Sequence, residues 1–334
     1  MITNLPAMKQ IREFYKEDEI HLHNTYPGKN DVHKTLFEHL NLFDKLSFTP
    51  VKLSLFASVF QRLKNLYHIR SEKYDIIYDL PGNNLSPKWM FRLFGAKKVV
   101  AMDVLEPEGG PRFRFLLNFL AENGIPRREN DESVDWNFQP DEISAAETWF
   151  SKLRLPDGYK PFLVCTGGKS PLQHWPLERY AEVLKKIIPE YGLYPVFVGT
   201  GSDAVDAEYL INECGTGVFS QDIGPLSLRE MILVFKKFHF YLGNDTGILH
   251  LAGAAGIRTF SLSPARDPHN YWRPLNDLLH HGFVANIACK ECRRNECSKG
   301  EKDCCINLIS TKELIGYFEN GGILKHLTGL NSFH

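Results

Sequence analysis

The sequence predicts an α/β protein built on parallel sheet, and three observations carry that prediction. Short apolar runs at 162–165, 194–198, 238–242 and 258–262 alternate with amphipathic stretches at 176–188, 203–213, 228–236 and 247–255. Strands alternating with helices form a parallel sheet covered on both faces, so each strand reads as a continuous apolar run. The third observation is size: 334 residues, 43% of them hydrophobic, are enough for two globular domains with separate cores.

The first half begins with a helix over 3–16, where Leu5, Met8, Ile11 and Phe14 recur at helical spacing. A short strand is expected at 19–23. Residues 36–48 are mixed and carry no firm assignment. A helical stripe runs over 51–69. The run YDIIYDL (74–80) is a buried strand closed by Pro81-Gly82, and 97–102 is another. A helix over 113–123 stops at Gly124 and Pro126. After a polar stretch and a weak helix at 141–153, the domain boundary is placed near Leu155-Pro156-Asp157-Gly158. The expected domains are 1–155 and 156–334. In the second, Pro176 opens a helix, and Ser227 with Glu230 forms a capping box for another. That domain closes with a late cysteine cluster and a C-terminal helix.

Bulk composition excludes several classes. Lys and Arg number 39 against 40 Asp and Glu, so no basic field points to nucleic acid. No stretch approaches the ~18 apolar residues of a membrane span. The N-terminus MITNLPAMKQIREFYKEDE lacks a signal-peptide pattern. Seven cysteines, an odd number, fit a reducing cytosol better than a disulfide framework. A cytoplasmic location is therefore expected.

The segment YLGNDTGILHLAGAAG (241–256) carries the most chemistry. An apolar strand ends in Gly243-Asn244-Asp245-Thr246-Gly247, and a helix of small residues starts at once. The first N–H groups of such a helix have no intrahelical partner and favour an anion, above all phosphate. Asp245 or Thr246 is placed to cap it. Gly247 bares the backbone where a ligand would approach. The same pattern also describes an ordinary turn with a good N-cap, and spacing alone leaves both open. Ligands of parallel sheets sit at the carboxyl ends of the strands. The loops 166–175, 199–203, 222–227 and 243–247 share that edge, so one ligand could touch all four.

Further patterns compete. Gly199-Thr200-Gly201-Ser202-Asp203-Ala204 matches a dinucleotide fingerprint, with Asp222 spaced to hold a ribose, but it comes after the second strand of its domain rather than the first. Thr166-Gly167-Gly168-Lys169-Ser170 suggests a phosphate loop but lacks the required first glycine, where Leu163 stands. It still places Lys169 near the edge, either as a cation for a diphosphate or as a solvated lysine. Cys289, Cys292, Cys297 and Cys304, with Cys305 beside them, suit a structural zinc or iron site, or else are free thiols or a disulfide pair. The run DPHNYWRP (267–274) is aromatic and basic; it either covers a bound ligand or packs its own loop.

Taken together, these residues resemble glycosyltransferase family 9, the heptosyltransferases that move heptose from ADP-heptose onto the lipopolysaccharide inner core. DTGILHLAGAAG looks like the family signature D-T/S-G-x-x-H-x-A-x-A-x-G. HWPLERYAEVL (174–184) resembles its W-P segment, and Gly224-Pro225-Leu226-Ser227-Leu228 its G-x-x-S-L segment. The late cysteine array and the stretches 5–22 and 73–80 are also similar, so the likeness spans nearly the whole chain. It implies the GT-B architecture, two Rossmann-like domains facing a cleft, with the acceptor on the first and the nucleotide sugar on the second. It implies that Asp245, Thr246 and Gly247, with His250, Thr166 and Gln173, hold the donor, with Asp203 near the ribose and Leu226 beside the adenine. It implies an inverting transfer that requires no metal, a lipid-linked or other glycan acceptor, and peripheral contact with the inner face of the membrane.

Two departures stand out. The family usually carries a lysine just before the H/R-W-P; here that residue is Gln173, and Lys169 is the candidate to stabilise the leaving diphosphate in its place. Family members also begin with a strand and a Gly-Asp turn whose aspartate is the expected base. Residues 1–7, MITNLPA, resemble the stretch just beyond that turn, so the first domain is expected to lack its first strand and this chain its base. Either the natural start lies upstream of Met1, or the chain is an impaired enzyme. Two other readings stay open: a nucleotide-sugar-binding protein without transfer activity, and an NAD-dependent oxidoreductase resting on 199–204.

Overall fold

The computed structural model describes residues 2–26, 32–50, 67, 70–80, 91–92, 95–101, 110–128, 132–220, 226–268, 271–294, 296–300 and 303–322. The stripe expected over 51–69 lies almost wholly outside them, as does most of the loop 222–227. Contacts divide the chain into two compact units, one of residues 3–108 and 112–135, the other chiefly 136–334.

In the first unit, helix α1 (Leu5–Phe14) carries Pro6 in its first turn and buries Leu5, Ala7, Met8 and Ile11. A short α2 (Val32–Phe37) comes next, then α3 (Arg112–Glu122). Ala7 and Ile11 of α1 pack on Leu116 and Leu120 of α3. Two separate parallel pairs accompany them, β1 (His21–Tyr26) with β2 (Lys45–Pro50) and β3 (Ile76–Asp79) with β4 (Lys98–Ala101). Strand β2 overlaps the segment left without assignment. It reads KLSFTP, and its polar residues hide the apolar run that marks a buried strand.

The second unit holds one six-stranded parallel sheet: β5 (Lys160–Cys165), β6 (Leu193–Val198), β7 (Val218–Ser220), β8 (Phe240–Asn244), β9 (Arg258–Leu262) and β10 (His280–Phe283). Its helices include α4 (Pro140–Ser151), α5 (Leu177–Tyr191), α6 (Ala204–Cys214), α7 (Leu228–Phe235) and α8 (Gly247–Ala254). The spatial order of the strands is β10-β9-β8-β5-β6-β7. The chain runs outward from β5 to β7, then returns to β8 and runs outward the other way. The order therefore reverses between β5 and β8, and a crevice opens beyond the carboxyl ends of two such strands. Phe162 stacks on Phe240 at 4.6 Å in the core beneath.

The strand expected at 238–242 lies two residues later. Phe238 closes the preceding turn, its N–H donating to Phe235 O at 3.1 Å. The ladder pairs Gly243 with both Cys165 and Ser261, and Asn244 with Leu262. Strand β10 escapes the sequence pattern: HHGF is polar, and the strand pairs only with β9 at the sheet edge.

Helix α4 belongs with the second unit, earlier than the boundary expected near 155. The Arg229 side chain is fully buried; its Nη2 donates to Glu142 Oε2 at 2.9 Å and to Trp136 O at 2.8 Å. This ties 136–151 to α7. No helix among the described residues is long and apolar enough to cross a membrane.

Candidate functional site

The site is built where β5 and β8 end. Gly243 is required there, because a Cβ would fall 2.4 Å from Cys165 O and 2.7 Å from the Tyr241 hydroxyl. Asn244 is the keystone. It is fully buried, accepts from the Tyr180 hydroxyl at 2.9 Å, and donates to Thr166 O and Gly167 O. Its own carbonyl accepts from Tyr241 Oη at 2.7 Å. One amide thus locks the loop after β5 against the turn after β8. Sequence reasoning misses Asn244, since a polar residue at a strand end gives no sign of burial.

Helix α8 starts directly beyond this turn. Thr246 occupies its N-cap position with extended φ −140° and ψ 177°, but no side chain caps the helix. The expected capping by Asp245 or Thr246 does not occur. The Thr246 hydroxyl instead lies 3.8 Å from the Cys165 thiol. The first amides of α8 therefore lack a side-chain partner. Gly247 is exposed, and a Cβ there would meet nothing within 4 Å. The corner is open, and an uncapped helix N-terminus suits an anion.

Asp245 lies half-buried at this corner, and its carboxyl is pushed up to about 7, by burial first and then by the charge of Asp267. His250 lies one turn into α8. Burial lowers its pKa to about 4, so its ring is neutral, and its Nδ1 is buried without a partner. Gln173 braces the corner: its amide donates to Asp245 O at 2.7 Å, and its Oε1 accepts from Ser170 N at 3.3 Å. Thr166 is buried. Lys169 is exposed on the same loop, with no hydrogen bond or ion pair among the described residues.

Asp203 lies on the β6 side. Its Oδ2 accepts from Thr200 N at 2.7 Å and from Thr200 Oγ1 at 3.0 Å. The carboxylate packs against two bare glycines, and a Cβ on Gly167 or Gly199 would approach it to 2.7 or 2.5 Å. The fingerprint glycine Gly199 thus makes room for a side chain of its own loop. Leu226 is half-buried just ahead of Ser227, whose hydroxyl accepts from Glu230 N at 3.2 Å as the capping box predicts. Asp222 is outside the described residues.

The late cysteines do not form the expected metal site. Among the described residues no three His, Cys, Asp or Glu side chains stand where they could hold a metal ion. Cys304 lies in the hydrophobic core with Ile306 and Ile309, and burial pushes its thiol up to about 11. Cys297 and Cys305 pack against that core, and Cys305 Sγ accepts from Ala265 N at 3.3 Å. Cys292 is exposed and Cys289 half-buried on another stretch. Cys297, Cys304 and Cys305 thus serve packing and bracing. Cys304→Ser is expected to lower stability by about 1–2 kcal/mol, because the hydroxyl enters an apolar site; urea unfolding checks it.

A family model, a curated relative and two solved structures point to one family. The model for glycosyltransferase family 9 (heptosyltransferase) matches residues 112–302. Lipopolysaccharide heptosyltransferase 1 of Campylobacter coli is 24% identical over 302 residues, spanning 79% of this chain and 81% of that protein. The crystal structure of a family 9 glycosyl transferase from Veillonella parvula superposes with a TM-score of 0.72 at 16% identity, covering 97% of this chain and 94% of that one. The E. coli ADP-heptose lipopolysaccharide heptosyltransferase II gives 0.65 at 18% identity, covering 97% and 95%. The fold is thus of the GT-B type. With the family signature lying on the strand–turn–helix corner just described, and the family match spanning more than half of the sequence, the chain belongs to glycosyltransferase family 9, the heptosyltransferases.

Proposed function

We propose that the chain transfers heptose from ADP-heptose onto a lipopolysaccharide core or a related cell-surface glycan, with inversion and without a metal. One observation carries the reading: the uncapped, open N-terminus of α8 at the point where the strand order reverses. The diphosphate docks on the amides of Gly247 and Ile248. Thr246 offers its hydroxyl, and the helix dipole offsets the charge that grows on the leaving ADP. Asp203 and Leu226 lie on the β6 side, where the ribose and adenine are expected. The unit of residues 136–334 then holds the donor, and the unit that precedes it the acceptor. An acceptor held in a membrane would bring the protein to the inner face of that membrane as a peripheral, cytoplasmic enzyme. The relatives support this reading by name: the E. coli structure is of an ADP-heptose heptosyltransferase, and another E. coli heptosyltransferase was solved with ADP.

Lys169 is the candidate cation for the leaving group, since Gln173 stands at the family's lysine position with its amide committed to Asp245 O. Lys169→Ala is expected to reduce turnover about tenfold, the effect of one charge-assisted hydrogen bond of roughly 1.4 kcal/mol. Unchanged turnover would remove Lys169 from the mechanism.

That commitment of Gln173 also favours a second reading, a protein that binds the nucleotide sugar without transferring it. Mass-detected transfer from a panel of ADP-, UDP- and GDP-sugars, beside calorimetric titration with ADP and NAD, decides. Transfer from ADP-heptose is the expected result. Binding without transfer supports the second reading, and preference for NAD overturns both.

A further inference from the structure

Every buried backbone N–H and C=O needs a partner, so the groups at the corner can be followed one by one. Strands β5 and β8 are neighbours, and Cys165 pairs with Gly243 at their ends. Three residues beyond that pair stand Gly168 on one side and Thr246 on the other. Two of the N–H groups between are spent inside the protein. Gly167 N donates to the Cys165 sulfur, and Asp245 N to Leu262 O at 3.3 Å. Gly168 N and Thr246 N have no acceptor among the described residues.

The carbonyls beside these two amides are tied. The peptides here are trans, and in a trans peptide the C=O of one residue and the N–H of the next point opposite ways. Asn244 Nδ2 donates to Thr166 O and, at 3.3 Å, to Gly167 O, so the Gly168 N–H is turned away from Asn244. Gln173 Nε2 donates to Asp245 O at 2.7 Å, so the Thr246 N–H is turned away from Gln173. The two side-chain amides reach in opposite directions. Asn244 crosses from β8 to the loop after β5, and Gln173 crosses from that loop to the turn after β8. Each tie fixes the direction of one unspent donor. Gly168 is exposed, and Thr246 is half-buried next to exposed Gly247. Neighbouring strands lie about 4.8 Å apart, so both donors leave one edge, beside the first amides of α8.

Gln173 is itself held in place. Its Oε1 accepts from Ser170 N at 3.3 Å, and the Ser170 hydroxyl accepts from Leu172 N at 3.3 Å. A Cβ on Gly168 would fall 3.0 Å from Gln173 Cβ, so glycine there lets the two segments close. An amide side chain offers one acceptor and one donor group. Here the acceptor serves its own loop and the donor serves the facing turn. Gln173 adds no charge to the corner and acts on it through the Asp245–Thr246 peptide.

We propose that Gln173 is a positioning residue for the donor: by holding Asp245 O it aims the Thr246 N–H at the diphosphate, which is shared between amides of both loops. This rests on the donor reading given above. Amide NMR titration of the wild-type chain, Gln173→Met and Gln173→Glu with adenosine and with ADP tests it, above about pH 7 so that the glutamate is ionised. A hydrogen bond to a phosphate oxygen moves an amide proton downfield. ADP is expected to shift the Gly168 and Thr246 amide protons downfield in the wild type. In both variants at saturating ADP the Gly168 shift should remain and the Thr246 shift should disappear. ADP affinity should fall about tenfold, while adenosine affinity stays within about twofold. Gln173→Glu keeps the acceptor for Ser170 N and loses only the donor to Asp245 O. Wild-type ADP affinity in Gln173→Glu therefore overturns the proposal, because Gln173 would then act through its own loop alone. Equal losses for adenosine and ADP also overturn it. So does a wild-type chain that binds ADP with no shift at Thr246, a result that leaves the donor reading standing. A wild-type chain that binds no ADP removes the donor reading and this role together.

Discussion

Replacing Asn244 with alanine is expected to lower the free energy of unfolding by about 3–5 kcal/mol and to remove measurable ADP binding. The side chain is fully buried and engages three groups, the Tyr180 hydroxyl and the carbonyls of Thr166 and Gly167. Alanine strands all three in the interior, and each unsatisfied buried polar group costs about 1–3 kcal/mol. Water entering the vacated space offsets part of the sum. The functional loss is larger than the loss of one contact, because the same amide holds the loop after β5 against the turn that carries Asp245 and Thr246. Tyr180→Phe serves as the graded comparison: it removes one hydrogen bond and is expected to cost about 1 kcal/mol with little change in ADP affinity. Urea unfolding and calorimetric titration read both quantities. A loss under about 1 kcal/mol with unchanged ADP affinity would show that Asn244 does not hold the corner together.

The second large effect is one of pH. Burial and the neighbouring Asp267 raise the Asp245 carboxyl to about 7 in the folded chain, against about 3.9 when unfolded. Between those values the folded chain binds more protons than the unfolded chain, so stability falls as pH rises through the window. Below about pH 4 both states are protonated and the term vanishes; above about pH 7 the full penalty applies. At ~1.4 kcal/mol per unit, reduced for the partial solvent access of this half-buried group, the penalty is about 2–3 kcal/mol. Asp245→Asn is therefore expected to be more stable than wild type by about 2–3 kcal/mol at pH 8, and equal to it at pH 4. A bound diphosphate further disfavours the ionised carboxyl. ADP affinity should consequently fall as pH rises above about 7 in the wild type and stay flat in Asp245→Asn. Denaturation curves across pH 4–8 would contradict this if the two proteins kept a constant stability difference.

Much of this architecture is legible in the sequence because the second unit obeys a strong rule. Its inner strands are buried on both faces and read as apolar runs between amphipathic helices. The elements that escape are those the rule does not govern. Strand β10 has a single ladder partner, and β2 belongs to a two-stranded pair; both carry polar residues that periodicity assigns to loops. The capping box at Ser227 is readable because its two partners lie three residues apart. The contacts that build the corner are not local: Gln173 reaches Asp245, and Asn244 reaches Thr166 and Gly167, across more than seventy residues. No spacing rule conveys such a pairing. The cysteines illustrate the opposite error. A CxxC start suggests a metal, yet burial of the Cys304 side chain in the core depends on α5 and the strands beneath it. Asp267 opens the run DPHNYWRP, whose composition suggests no more than a cover for the ligand; its proximity to Asp245 emerges from the pairing of β8 with β9.

Donor binding depends on a nucleoside diphosphate docking on the first amides of α8. Amide hydrogen exchange with and without ADP tests this most directly. ADP is predicted to slow exchange at Gly247, Ile248 and Leu249 and in the facing loop at Gly167 and Gly168, with little change along β10. ADP that binds without slowing exchange at 247–249 would contradict it.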